Sequence, residues 1–473
     1  IMSSDWSSDV CSSDLEIGVN GERVRAAAPK DDEPLLLEHA GLRIVLVNSD
    51  LAMRTWPLED MLVFGPEFVG EEADDAVPAR GAKQYAILPF DGKMTHKKVK
   101  PATAARKPTP PKLGQWKRLA VCTEPVADDL EWTHISGQQD VDRVGIHSGY
   151  AWYLVEIETS KAERPKLSLP DWSDRCVLYL NGRLIGIWGR GEDAARKPLA
   201  VSLKKGKNAL VALVDNLGRF CGGPMFGELK GPAGPVYDAA PLKATFKFSR
   251  ADGFSRRIVP RQHAHLLPEL SALPVWTAEA SVSLTKAAPV HMALGGLPYH
   301  AALSCNDRAI GFYPADGSNF AEMTIGSAIK RGKNVIRLTL WGDADPKESG
   351  DTMVLHALNE DLTRQATWNC RSLAMPEEGG PVVGKDQPAW YVSKFSCTPH
   401  DQPLFLHIVG ARKGQLFLNG RNLGRFWTVG PQQAWYLPEC WLEDKNELMI
   451  FEEGGHIPAR SRLEYRPMGP YRE

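Results

Sequence analysis

The chain runs to 473 residues with 43% hydrophobic and 24% charged side chains, ordinary for a globular protein with several packed cores. Its formal charge of −2 argues against general nucleic-acid or membrane-surface binding. No apolar run reaches the ~18 residues of a membrane helix, while 42 Gly, 35 Pro and 14 Trp suit many short strands joined by turns.

At the N-terminus, Ser3 to Leu15 reads SSDWSSDVCSSDL and resembles a translated sequencing adapter, so residues 1–15 are set apart as an artefact. The natural protein is then expected to begin upstream of Glu16. That leaves the compartment open, with an extracellular or periplasmic setting compatible. Residues 16–40 read as a loose lead-in. A small β domain is predicted over 41–92, with strands at Arg43–Asn48, Met61–Pro66 and Gln84–Pro89, followed by a Lys/Pro/Ala-rich linker over 93–115. Three larger β blocks follow, at 116–240, 241–380 and 381–473, the last boundary marked by Glu377-Glu378-Gly379-Gly380-Pro381.

These three blocks share a repeat. Leu416-Phe417-Leu418-Asn419-Gly420-Arg421 places Asn-Gly between apolar runs, the dipeptide best suited to a type I′ hairpin turn. The pattern recurs at Leu178 to Trp188 around Asn181-Gly182, and more weakly at Leu303 to Tyr313 around Asn306-Asp307. Each hairpin is followed by a second turn ending in Asn208, Asn334 or Asn446, at offsets of 27, 28 and 27 residues. Gly186 and Gly424 follow Asn-Gly at one interval and are expected to mark a bulge or close backbone contact. No regular strand–helix alternation accompanies the repeat. The predicted fold is therefore all-β, a tandem array of jelly-roll or β-sandwich domains with no TIM barrel. Seven cysteines outside the first block are widely spaced, neither a zinc set nor a dense disulfide framework; Cys176, Cys305 and Cys397 are expected to be buried thiols.

The last block carries a specific resemblance. Trp390-Tyr391, Phe395, Pro403-Leu404-Phe405-Leu406, Asn419-Gly420, Gly424-Arg425-Phe426-Trp427, Gly430-Pro431-Gln432, Trp441-Leu442 and Asn446 resemble the galactose-binding-like jelly roll of glycoside hydrolase family 35 β-galactosidases. Glu124-Pro125, Gly149-Tyr150-Ala151-Trp152-Tyr153, Asn181-Gly182 and Asn216-Leu217-Gly218-Arg219 resemble the β domain that follows the barrel in the same family. The resemblance implies a (β/α) barrel upstream, where two glutamates about 5–5.5 Å apart hydrolyse terminal β-galactosides with retention. These residues hold no such barrel. Asn359-Glu360, Glu279 and Asn446-Glu447 only superficially resemble barrel motifs, and His263 with His265 reads as a solvated loop. No catalytic residue, metal ligand or cofactor is assigned.

The expected role is non-catalytic: supporting the barrel and shaping its rim, with a β-galactoside as the partner carbohydrate, no nucleic acid and no membrane. The alternative is a stand-alone carbohydrate-binding or structural β-sandwich protein. Candidate rim contacts are Arg219, Phe220 and Phe226 in the Asn216–Lys230 loop; an arginine there commonly ties a loop to carbonyls instead. Trp188 and Trp427, which close two hairpins, are candidate sugar-stacking platforms, though filling a sandwich core is the commoner use of such a residue. If a barrel is absent, docking faces are expected to be open in the Gly41–Pro89 and Gly149–Lys230 blocks.

Overall fold

The structure, a computed structural model, describes residues 14–19, 22–27, 33–39, 41–79, 82–99, 109–126, 129–191, 193–219, 228–295, 299–315, 320–343, 346, 353–376, 387–397 and 403–466. Strands dominate throughout, and the two α-helices described, Ser49–Ala52 and Leu267–Ala272, are single turns. No helix among the described residues is long and apolar enough to cross a membrane.

Hydrogen bonds explain the repeat. Asn181, Asn306 and Asn419 all take φ near +50°, and the next residues Gly182, Asp307 and Gly420 are positive too, as a type I′ turn requires. In each copy the first Asn donates its amide to the second: Asn181 to Asn208 at 3.0 Å, Asn306 to Asn334 at 2.9 Å and Asn419 to Asn446 at 3.0 Å. Its own carbonyl oxygen accepts from the backbone of Ala209, Val335 or Glu447. The second Asn closes the turn before its strand, accepting from Lys204, Lys330 or Glu443 and donating back to the same residue. The constant offset is therefore a fixed side-chain clamp between two adjacent turns. Opposite Leu178, Leu303 and Leu416 the register slips at Gly186, Gly311 and Gly424, so a bulge follows the turn in all three copies.

The three sandwiches are nested, and their strands assort differently from the sequence blocks. Lys117–Val121, from the start of the 116–240 block, pairs with Ala389–Ser396 and so belongs to the C-terminal sheet. Thr367–Ser372, from the end of the 241–380 block, pairs with Gly149–Thr159 and so belongs to the first sandwich. The C-terminal sandwich is thus interrupted by the first, and the first by the middle one. Strand pairing is non-local and ignores the sequence boundaries, and the one at 240/241 falls inside the strand Tyr237–Leu242. The first and middle sandwiches even share a six-stranded sheet, in which Tyr237–Leu242 pairs with both Lys166–Ser168 and Met353–Asp361.

Ahead of the sandwiches, Met61–Phe64 and Gln84–Pro89 pair in a small sheet over Leu51, Phe64, Ala86 and Leu88. The lead-in contains structure of its own: Leu35–His39 pairs with Leu42–Leu46, and Asp14–Val19 with Glu22–Ala27. Thr95–Lys98, read as linker, adds an edge strand to the small sheet.

The first and C-terminal sandwiches also stack on one another. Tyr150, Trp152, Val177, Tyr179, Val211 and Leu213 from one outer face meet Trp390, Phe417 and Phe451 from the other. The central strands are consequently buried on both faces, which is why Arg175–Leu180 (RCVLYL) shows no polar alternation and is buried at every position. One face of the Gly149–Lys230 block, expected to stand open, is covered by the C-terminal sandwich.

In the shared sheet His356 lies across from His291. Burial, with the neighbouring His291 and Lys166, lowers the His356 pKa. An imidazole whose folded pKa lies below its unfolded value of about 6.5 contributes stability above that pH and loses it as the pH falls through the window beneath. The chain is expected to lose denaturation midpoint between about pH 7 and pH 5, with a shallower slope in His356→Gln. Equal slopes in the two proteins would remove His356 as a cause.

Candidate functional site

Charged residues cluster where the two stacked sandwiches end together. Arg175 opens its strand, Asp215 and Asn216 close Gly206–Asn216, Lys413 opens Lys413–Leu418, and Glu452 and Glu453 lie at the end of Lys445–Glu452. Apolar residues fill the middle of the seam, so the charges meet at its rim while remaining buried.

Lys413, 2% exposed, donates to Asp215, to Glu453 at 3.0 Å and to the Tyr150 hydroxyl at 2.8 Å. Arg425 also grips Asp215, at 2.8 and 3.1 Å, and the Asn216 carbonyl. Arg175 bonds Glu453 at 2.8 Å and forks onto Asp193 at 2.8 and 3.1 Å. Although burial opposes its charge, Glu453 and Asp193 hold the Arg175 guanidinium above its usual pKa. Burial pushes the Tyr150 phenol well above its usual range, and the charges of Asp215 and Glu453 push it further. A second group adjoins the first: Lys230, 1% exposed, bonds Asp174 at 2.8 Å and Glu228 at 2.7 Å, and Arg190 bonds Glu228 at 2.9 Å. Burial raises the Asp174 carboxyl, with Lys230 pulling against it. Glu452 is satisfied mainly by backbone: the amides of Arg412, Gly454 and His456 donate to it at 3.0, 2.8 and 2.7 Å.

Above these charges lies a cleft of about 430 Å³ between the sandwiches, walled by Leu184, Ile187, Trp427 and Val429, with Arg412, Asp193 and His456 at its polar side. Trp427 is half-buried, and the Lys413 ammonium and Arg175 guanidinium lie 5.0 and 5.5 Å from its ring centre.

The other sequence candidates do not gather here. Trp188 is fully buried in the first core, so its indole has no face to offer a sugar; it fills the sandwich. Arg219 ties a loop, bonding Asp142 and, at 3.4 Å, the Glu228 carbonyl. Phe220 and Phe226 lie outside the described residues. Glu279 is held by Arg337 at 2.9 Å, Glu447 pairs with Lys394 at 3.1 Å, and Glu360 is exposed on its strand. His263 is buried against Phe312 on a 3-10 turn, contrary to the solvated loop expected, because that turn packs onto the middle sandwich. Cys176, Cys305 and Cys397 are buried free thiols.

The fold thus defines a set of nested sandwiches whose C-terminal member is a galactose-binding-like jelly roll. Residues 388–447 match the family described as "Beta-galactosidase, galactose-binding domain". Over 92 residues the chain is 38% identical to human β-galactosidase-1-like protein 3, a segment that is 19% of this chain and 12% of that protein. Over 68 residues it is 49% identical to β-galactosidase 1 of Dictyostelium discoideum, covering 14% of this chain and 10% of that one. The C-terminal sandwich is accordingly a β-galactosidase-type galactose-binding domain, and the chain aligns with only about a tenth of the length of these curated relatives. Among solved structures, a β-glucuronidase of Bacteroides uniformis is 14% identical with a TM-score of 0.20, covering 67% of this chain and 34% of that one. A β-D-mannosidase of Dictyoglomus thermophilum is 7% identical with a TM-score of 0.17, covering 46% and 31%.

Proposed function

We propose that this chain is the non-catalytic β region of a β-galactosidase: it braces a catalytic barrel and shapes the rim of that barrel's active site, the barrel hydrolysing terminal β-galactosides. The observation that carries the reading is that the sandwich matched as a β-galactosidase domain is locked onto the first sandwich by a buried apolar seam and ion network. Two sandwiches joined in this way move as one body and can hold a third element in register. Glu279 is taken up by Arg337 and Glu360 stands exposed on its strand, whereas a retaining glycosidase sets two carboxyl groups about 5–5.5 Å apart across the scissile bond.

The purified chain is expected to release no chromophore above blank from an aryl β-galactoside, and to form a stoichiometric complex with a family 35 barrel domain added in trans. Turnover that disappears in Glu279→Gln or Glu360→Gln, or failure to bind any such barrel, would overturn the reading.

A further inference from the structure

We propose that the cleft between the first and C-terminal sandwiches is a binding site for an anionic saccharide, one carrying a carboxylate or a sulfate ester. Its volume of about 430 Å³ falls within the range of roughly 300–1,000 Å³ found for small-molecule sites, room for one or two sugar rings. The site belongs to this chain alone and does not depend on the barrel-bracing role.

The two sides of the cleft differ in chemistry. Leu184 and Val429, 47% and 44% exposed, form an apolar wall with Ile187. Large apolar side chains left open inside a concavity, rather than scattered on a convex surface, suit the C–H face of a pyranose. The floor makes no demand on a ligand: Arg175 and Lys413 are committed to Glu453, Asp193 and Asp215, and Glu452 to backbone amides and His456.

Arg412 is different. It is exposed at the cleft, and among the described residues its guanidinium has no hydrogen-bond or ion-pair partner. Its main chain is fixed, because its amide donates to the buried Glu452 at 3.0 Å. The guanidinium therefore extends from a rigid anchor. It stands near enough to Asp193 to help hold that carboxyl below its usual pKa, against burial and behind the larger contribution of Arg175. A guanidinium with no hydrogen-bond partner among the described residues, on a rigid base, offers paired N–H donors to a planar carboxylate or to sulfate oxygens. Asp193, half-exposed at the same side, can accept from ring hydroxyls.

The purified chain should be titrated with digalacturonate, galactose 6-sulfate and neutral galactobiose, followed by calorimetry and tryptophan fluorescence. At least one acidic sugar is expected to bind about tenfold or more tightly than galactobiose, with affinity falling as salt is raised. Arg412→Met, an exposed change whose folding is checked by circular dichroism, should abolish that preference. Binding of both acidic sugars supports the class as stated; binding of one alone identifies the acid. No heat from either at about 10 mM, equal affinity for galactobiose, or an unchanged preference in Arg412→Met would each overturn the site. None of these outcomes bears on galactoside turnover or on barrel binding, so the two readings fail separately.

Discussion

Replacing Lys413 by Met is expected to destabilise the chain by about 3–5 kcal/mol, the scale on which a buried charge pair is broken by removing one partner. The cations Arg175, Arg190, Lys230, Lys413 and Arg425 face the carboxylates Asp174, Asp193, Asp215, Glu228 and Glu453 in equal number. Removing Lys413 takes one positive charge from the place where Asp215 is 0% exposed and Glu453 4%. Asp215 keeps Arg425, and Glu453 keeps Arg175, so the lower end of the range is expected. Neutralising the carboxylate as well relieves the imbalance. In Lys413→Met with Asp215→Asn, the loss should fall short of the sum of the single losses by about 1 kcal/mol or more. The measurement is the urea midpoint of the four proteins. An additive cycle, or a Lys413→Met midpoint equal to that of the parent, would mean that desolvation offsets the whole attraction.

Much of the architecture could be read from the residues because it is written locally. Asn-Gly needs positive φ at two successive positions, and the return of Asn at a fixed offset turned out to be a direct amide-to-amide bond. The nesting is a different matter. Arg118 lies 273 positions from the Tyr391 hydroxyl it bonds, and nothing local to either residue names the other. A Pro/Gly-rich stretch says where a strand ends and nothing about which sheet it joins.

The ion network is not legible in the sequence for a related reason. Arg175, Lys413 and Glu453 sit at strand ends, where a charge is ordinarily solvated. One signal was present: Arg175-Cys176-Val177-Leu178-Tyr179-Leu180 does not alternate, as a strand with one wet face would. A strand covered on both faces brings its terminal charges under cover too, and a charge under cover requires a partner. Trp188 and Trp427 close equivalent hairpins, yet only Trp427 reaches a cleft; the repeat fixes the turn, while the neighbouring sandwich decides what lies over it.

The same distinction ranks two glycines. The repeat draws attention to Gly420, whose φ of +75° makes a β-branched replacement strained. A Cβ there would meet no atom within 4 Å, so Gly420→Val should lose only about 1–3 kcal/mol, the cost of backbone strain. Gly414 belongs to no turn of the repeat, lying inside the strand Lys413–Leu418. A Cβ at Gly414 would lie 1.8 Å from the Phe451 carbonyl oxygen and 3.0 Å from the Phe426 ring. That oxygen belongs to the backbone of the adjacent paired strand and cannot rotate away as a side chain would. Relief requires the two strands to part beside Lys413, disturbing the ion network with them. Gly414→Ala, the smaller chemical change, is therefore expected to lose more than about 4 kcal/mol, in the range reserved for specific structural damage. Denaturation midpoints of the two variants decide the order, and soluble yield substitutes if Gly414→Ala does not fold. A Gly414→Ala protein as stable as Gly420→Val would mean that the strands at Gly414 and Phe451 do not approach as closely as the fold requires.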